Sequence, residues 1–479
     1  MPGFDTLLPR PVAATARPGV CPWPVHPQVR VDPDLPPEGY RLEIRPSGVT
    51  LSVADEAGRA HGYQTLRQLA GPTAFRAASV DRRPPTVPCG VVEDYPRYRW
   101  RGCLLDTARN FRTKAEVLRF VDLLAVHKLN VLHLHLTDDQ GWRIEVPEFP
   151  RLTEIGSWRR ASMVGRHDGP ERDGRPHGGF YTTDDLREIV AYAGERSITV
   201  VPEIDVPGHV RAAIAAYPEL GPVSEEPWEV WTSWGVSTAL VNPTAYAMEF
   251  FRRVFDHVLS VFPSPVIGIG GDEVPGVTAA HGRFVAELAA YLTTRGRRAL
   301  GWDEVLDIGA LPAMVIGAWR DEAAAARAVA AGHEVVLCPE SHVYLDHRQS
   351  DHPDEPIPVG YLRTLEDVYR YEPACDGPRV LGIQAQVWSE HLDSVRRVDY
   401  ATFPRLCAIA EIAWSPAPHD FGEFLPRLRD HHLPRLDALG VEYRPLDGPR
   451  PWQTRPDVPP TAHRPRAASF EAANGHRQG

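Results

Sequence analysis

Nowhere in this chain do as many as about 18 apolar residues run together, the length a helix needs to cross a bilayer, so a helical membrane span is excluded. Lysine is nearly absent: Lys114 and Lys128 are the only two, and every other Lys/Arg position is arginine. Excess positive charge is missing as well. The 52 Lys and Arg against 63 Asp and Glu leave a net charge of −11, so nothing in the overall charge draws the chain to nucleic acid or to an anionic membrane. The cysteines at 21, 89, 103, 338, 375 and 407 form no CxxC pair and no metal-type spacing, as expected of reduced thiols. The opening residues, MPGFDTLLPRPVAATARPG, are broken by proline and carry no apolar core of a secretory signal, so the expectation is a cytoplasmic protein.

What is present divides by composition into three parts. Residues 1–95 carry short strand-like runs (Tyr40–Ile44, Val49–Val53), a helical segment (His61–Leu69) and a proline-rich stretch from Pro84 to Pro96, and predict a small α+β companion domain. Residues 445–479 are rich in proline and arginine and predict a tail that is partly disordered. Between them, residues 96–444 repeat one theme. Apolar runs occur at Cys103–Leu105, Val131–Leu136, Ile198–Val201, Val266–Ile269, Ala299–Leu300, Met314–Ile316, Val335–Leu337 and Val380–Val387, with helical patterns between most of them. The first helix opens on Thr113-Lys114-Ala115-Glu116, a capping box in which each end satisfies an orphan N–H, and continues with Val117, Val121, Leu124 and Ala125 on one face. A second starts near Thr183, with Leu186, Ile189, Val190 and Ala193 on its apolar face. Eight strand–helix alternations in about 310 residues predict an α/β fold, a (β/α)8 TIM barrel with a small N-terminal α+β domain. Only about a dozen residues separate the fifth and sixth strands, so the helix there is expected to be missing or reduced.

In such a barrel the site is built at the C-terminal ends of the strands. Those ends carry Asp106 and Arg109, then Asp138, Asp139 and Trp142, then Glu203, Asp205 and His209, then Asp272 and Glu273. Strands five to eight lead to Trp302 and Asp303, Trp319, Tyr344 and Asp346, and Trp388 and Glu390. One strand-end Asp is commonly a cap and one Trp is commonly packing; eight such ends together suit a neutral polyhydroxylated ligand, with indoles against pyranose faces and carboxylates and Arg on hydroxyls. Carboxylate pairs also perform glycosidic-bond chemistry. Asp272-Glu273 follows two glycines, which let backbone approach a ligand closely. Two carboxylates in one site do not ionise equally, so one pKa rises and that group serves as a general acid.

The stretches RGCLLDTARNF, HKLNVLHLHLTDDQGWRIE, VPEIDVPGH, GIGGDE, GWDE and QAQVWSE resemble the family 20 glycoside hydrolases, the β-N-acetylhexosaminidases, from about residue 90 to 440. The resemblance implies retaining exo-hydrolysis of terminal non-reducing β-linked GlcNAc or GalNAc. The substrate's own 2-acetamido oxygen acts as nucleophile and an oxazolinium forms, an exception to the two-carboxylate scheme. It implies Glu273 as acid/base, Asp272 as the residue holding the acetamido N–H and Tyr344 as the hydroxyl on its carbonyl. Asp138 and His209 match supports of the acid/base, Arg109, Asp346 and Glu390 match binders of sugar hydroxyls, and Trp302, Trp319 and Trp388 match pocket walls. Tyr344 and Asp346 rest on the shorter match SHVYLD. No cofactor and no metal are implied, and the partner is a small oligosaccharide or glycoside. Glycan source, gluco or galacto preference and oligomeric state are left open by the sequence.

Two positions depart from the family pattern. Gly268 stands where HIGGDE has histidine, and no tryptophan lies between Trp319 and Trp388, where Val359 or Tyr361 is the local substitute. Trp228, Trp231 and Trp234 cluster after strand three, as a rim for an aglycone sugar or as a packed loop. Two rival readings remain: a metal-dependent amidohydrolase built on His133-x-His135, and a catalytically inactive sugar-binding barrel. Against the first, those histidines precede the strand end, no Lys follows strand four, and no His ends strands five or six. Against the second stands the intact Asp272, Glu273 and Tyr344 set.

Overall fold

Each of the eight apolar runs falls on a strand of one closed parallel barrel. The computed structural model describes residues 3–78, 85–165, 169–273, 276–309, 311–356 and 360–456. Barrel strands one to eight are Trp100–Asp106, Val131–His135, Thr199–Glu203, Val266–Gly270, Arg298–Trp302, Val315–Ala318, Glu334–Leu337 and Val380–Val387, with the eighth pairing back onto the first. Period-two alternation divides every strand. On strand two, Leu132 and Leu134 face the helical layer, which holds the largest core. The inner layer is an apolar plug of Leu104, Val131, Val201, Val266, Leu300, Val315, Val336 and Leu381. The first crossover helix, Lys114–Val126, is capped by the Thr113/Glu116 box, and Thr183–Gly194 is capped the same way by Thr182 and Asp185. Between strands five and six the described residues form only a 3₁₀ turn, Asp303–Asp307, because the linker is too short for a full helix. Among the described residues no helix is long and apolar enough to cross a membrane.

The N-terminal part forms a five-stranded sheet in the order Ala13–Pro22, Thr86–Asp94, Tyr40–Arg45, Gly48–Val53, Gln28–Val31, with the helix Glu56–Leu69 on one face. The proline-rich stretch thus contains a strand. Pro88 is tolerated there because it lies beside the bulge where the register slips between Ala16 and Val20. The last described segment, ending at Pro456, is not free. Arg397 donates to the carbonyls of Gln453 and Thr454, and Arg455 pairs with Asp393 at 2.9 Å.

Sheet and barrel meet through one of the two lysines. Lys128 Nζ lies 2.8 Å from Asp94 Oδ2 and 2.8 Å from the Tyr40 hydroxyl, while Trp414 Nε1 donates to Asp94 Oδ1 at 3.0 Å. All four side chains are buried. Burial pushes the Lys128 ammonium below its ordinary range, and Asp94 opposes that shift. Breaking a buried pair from one side leaves a charge uncompensated. Asp94→Asn is therefore expected to cost about 3–5 kcal/mol, read as a lower Tm and urea midpoint; an unchanged midpoint would show that the pair does not hold sheet to barrel.

Candidate active site

Asp138 lies at the centre of the barrel mouth, in a short hairpin (Thr137–Asp138 with Gly141–Trp142) that follows strand two. Its Oδ2 accepts from Arg109 Nη2 at 2.8 Å and His135 Nε2 at 2.9 Å, and its Oδ1 from His209 Nδ1 at 3.1 Å and the Asp139 amide at 2.6 Å. Burial opposes ionisation, but Arg109 and His209 outweigh it and hold the carboxyl well below its usual range. His209 sits in the loop after strand three with φ of +54°. Its Nε2 faces Asp272 Oδ2 at 3.8 Å and Glu273 Oε2 at 3.9 Å. Burial alone would neutralise this imidazole, yet Asp138 and Asp272 hold it protonated.

Two adjacent carboxylates reach one imidazole because the backbone bends. Gly270, Gly271 and Glu273 have φ of +69°, +94° and +46°. A Cβ at Gly270 would lie 1.7 Å from Asp205 Oδ1, and one at Gly271 would lie 2.4 Å from Val305 Cγ1, so neither position admits a side chain. Asp205 Oδ1 accepts the Gly271 amide at 3.1 Å and so fixes the bend. Glu273 is the more open of the pair, its side chain 42% exposed against 13% for Asp272. The surrounding walls, and then the charge of Asp272, raise its pKa above the ordinary carboxylate value, with His209 opposing. Asp205 is raised strongly, by burial first and then by Asp272.

The far wall is joined to Arg109 by Asp106. Its Oδ1 accepts the amides of Ala108 and Arg109, and its Oδ2 accepts that of Ser389 at 3.0 Å. Asn110 Nδ2 donates to the carbonyls of Ser389 and Glu390. The Glu390 carboxyl is pushed up to about 7 by burial and by the charges of Asp106 and Asp346, against Arg109. Asp346 Oδ1 is buried without a protein partner, an acceptor aimed at no donor of the chain. The aromatic side chains form one contiguous set. Trp302 and Trp388 centroids are 6.0 Å apart, Trp388 and Tyr344 6.3 Å, and Tyr344 and Trp319 6.2 Å. Trp302 is only 1% exposed and stacks on His133, so it forms the floor rather than a side wall.

Several residues read differently in three dimensions. Asp303 is structural: it accepts the amides of Trp319 and Arg320 and pairs with the Arg320 guanidinium. Its neighbour Glu304, present in GWDE but given no role by the sequence, accepts Trp319 Nε1 at 2.8 Å, and burial plus the charges of Asp272 and Asp303 push its carboxyl up to about 8. Trp234 is packed, with Arg159 over its face at 5.2 Å, while Arg211 lies over both Trp228 and Trp231, which are half-buried. Tyr361 packs edge-on to His347, and Val359 lies outside the described residues. A Cβ at Gly268 would meet Glu203 Cβ at 2.7 Å, so Glu203 occupies the room a larger residue there would need. Both nitrogens of His135 face carboxylates, and those of His133 face Gln384 and Glu203.

Comparison with known proteins is consistent along the chain. The family model described as glycosyl hydrolase family 20, catalytic domain, matches residues 98–279 and 275–417, and that described as glycosyl hydrolase family 20, domain 2, matches 7–95. A beta-hexosaminidase of Porphyromonas gingivalis is 37% identical over 446 residues, 87% of this chain and 56% of that protein. A beta-N-acetylhexosaminidase of Cellulomonas fimi is 37% identical over 449 residues, covering 91% of this chain and 86% of its own. Among solved structures, the family 20 exo beta-N-acetylglucosaminidase of Vibrio harveyi in complex with N-acetylglucosamine superposes with a TM-score of 0.81 at 31% identity, over 92% of this chain and 79% of that one.

Glu304 yields a pH test. A carboxyl with a pKa of about 8 is neutral at pH 6, and glutamine mimics that form. Glu304→Gln is expected to leave kcat/KM near wild type at pH 6 and to steepen its decline above pH 8, where the native side chain ionises beside Asp272 and its negative charge helps hold the proton on Glu273. Glu304→Ala removes the acceptor of Trp319 Nε1 and is expected to cost about 1 kcal/mol, roughly fivefold, at both pH values. An unaltered alkaline decline in Glu304→Gln would show that its ionisation is not felt by the site.

Proposed function

The chain belongs to glycosyl hydrolase family 20, and on that footing we propose that it releases terminal non-reducing β-linked N-acetylhexosamine, GlcNAc first and GalNAc as the alternative sugar, from small oligosaccharides or glycosides. The supporting division is a companion domain over 1–95, a catalytic barrel over 96–444 and a terminal extension over 445–479. The observation that carries the proposal is the Asp272–Glu273 pair, delivered to one side of an aromatic mouth with His209 between the two carboxylates.

The two carboxyls divide the work by environment. Glu273, with the raised pKa, carries the proton that passes to the leaving oxygen as the C1–O bond breaks. The substrate's acetamido oxygen forms the new bond to C1, giving an oxazolinium. Asp272 takes the acetamido N–H and faces the developing positive charge, while the Tyr344 hydroxyl donates to the carbonyl oxygen and orients it. Glu273, now ionised, takes a proton from water, which opens the oxazolinium at C1 and restores the β configuration. The nucleophile is part of the bound sugar, so its entropy cost is met on binding. Arg109, Asp346 and Glu390 hold the ring hydroxyls, and Trp319 and Trp388 cover its faces above Trp302. Asp138 supports the acid pair through His209.

N-acyl substitution tests the proposal. Fluorination of the acetyl group weakens its carbonyl oxygen as a nucleophile, so kcat on aryl β-N-acylglucosaminides should fall steeply with each fluorine. Asp272→Asn keeps the shape and removes the charge, so kcat should fall far more than binding weakens. Glu273 loses its negative neighbour in that variant, its pKa drops, and the alkaline limb of kcat/KM moves to lower pH. A kcat indifferent to fluorination, or a glycosyl-carboxylate trapped by mass spectrometry, would overturn the substrate-assisted mechanism.

A further inference from the structure

A line of buried polar side chains runs from the foot of the barrel to the acid pair. Trp100 Nε1 can only donate, and it does so to Gln384 Oε1 at 3.1 Å. That contact sets the amide orientation, so Gln384 Nε2 donates to His133 Nδ1 at 3.0 Å. The proton of His133 must then reside on Nε2, which lies within ion-pair distance of Glu203 Oε2, 2.7 Å, though the two are not aligned for a hydrogen bond. Glu203 Oε1 faces His135 Nδ1 at 2.7 Å, and His135 Nε2 faces Asp138 Oδ2 at 2.9 Å. An imidazole with a carboxylate oxygen at each nitrogen carries both protons. Both histidines, Glu203 and Asp138 are at most 1% exposed. Glu203 has space for this arrangement only because residue 268 is glycine.

The geometry points to His135 as a positioning residue, an imidazolium charged by Glu203 that sets the acid strength of Glu273 through Asp138 and His209. The inference rests on the reading of Glu273 as the acid/base. Among the described residues, those facing His135 include Glu203 at the end of strand three, Asp205 beyond it, Asp138 in the hairpin after strand two, and the edge of Trp388 just beyond strand eight at 5.1 Å. Arg109 lies beyond it, on the same Asp138 oxygen. Those facing Glu273 are His209, Asp272, Arg109 and Asp138. Burial, and then the charge of Asp272, raise the Asp205 carboxyl strongly. Burial works against a charged His135, but its bonds to Asp138 and Glu203 raise it to about 9.

Without the His135 charge, Asp138 has one cation fewer to balance it. The added negative potential stabilises the proton on Glu273, so the acid weakens and its limb moves up. His135→Gln, which retains a donor toward Asp138, should shift the alkaline limb of kcat/KM upward by on the order of half to one pH unit. Adding Glu203→Gln removes the opposite charge and should bring the limb back toward wild type. A merely structural role would lower kcat without moving the limb. The second measurement needs no variant fold: with ¹⁵N-histidine in the wild-type chain, a doubly protonated His135 is expected to persist to pH 8. Inactivity of the wild type on an aryl β-N-acetylglucosaminide would refute the acid/base reading itself. An active wild type with an unmoved limb in His135→Gln, or a neutral His135 at pH 7, would overturn this inference alone.

Discussion

The carboxylate of Asp138 is the contact on which the mouth of this barrel depends. Four donors from three strand ends converge on its two oxygens: Arg109, His135, His209 and the amide of Asp139. Three cationic side chains this close repel one another in a medium of low polarisability, and each loses hydration on burial. A single anion fully coordinated by all of them offsets both costs. The same carboxylate also fixes direction. Arg109 is turned toward the sugar-binding wall, His209 toward Asp272 and Glu273, and His135 toward the barrel floor. Under the proposed function, substrate binding and proton transfer therefore share one anchor.

Above that anchor the mouth holds many acidic groups and little net negative charge. Burial raises Asp205 strongly, Glu304 to about 8 and Glu390 to about 7, and Asp106 is satisfied by backbone amides and Arg109. Protonated carboxyls can donate as well as accept, which suits sugar hydroxyls and the Trp319 indole equally. At the proposed reacting end Asp272 is set opposite His209, 3.8 Å away. In the proposed mechanism a positive centre forming at C1 meets the Asp272 carboxylate already in place, without reorganisation of solvent.

Much of this was legible in the order of residues. Eight apolar runs marked eight strands, because strands buried on both faces read as continuous hydrophobic segments. The Thr113 region announced a helix start through capping chemistry and the Thr183 region through its apolar face, and the strand-end carboxylates and tryptophans marked the candidate site. What was not legible depends on register. Glu203 meets His133 and His135 only because strands two and three pair Val201 with His133 and Glu203 with His135, a staggering no periodicity reveals. Asp303 and Glu304 are adjacent and chemically alike, and only the turn after strand five sends one to Arg320 and the other to Trp319. Pro88 masked a strand because its bulge lies on the partner strand, and Gly268 gained meaning only beside Glu203.

A double-mutant cycle between Arg109 and His209 tests the shared anchor most directly. No direct bond joins these two side chains in the structure; each bonds a different oxygen of Asp138. With Arg109→Lys and His209→Gln measured singly and together on kcat/KM, coupling through Asp138 predicts an interaction energy above the roughly 0.3–0.5 kcal/mol seen for independent sites. The same cycle in an Asp138→Asn background should be additive within that limit. Additive effects in the wild-type background, or equal coupling with Asp138 replaced, would contradict the claim that one carboxylate holds the sugar-binding and proton-transferring halves of the site together.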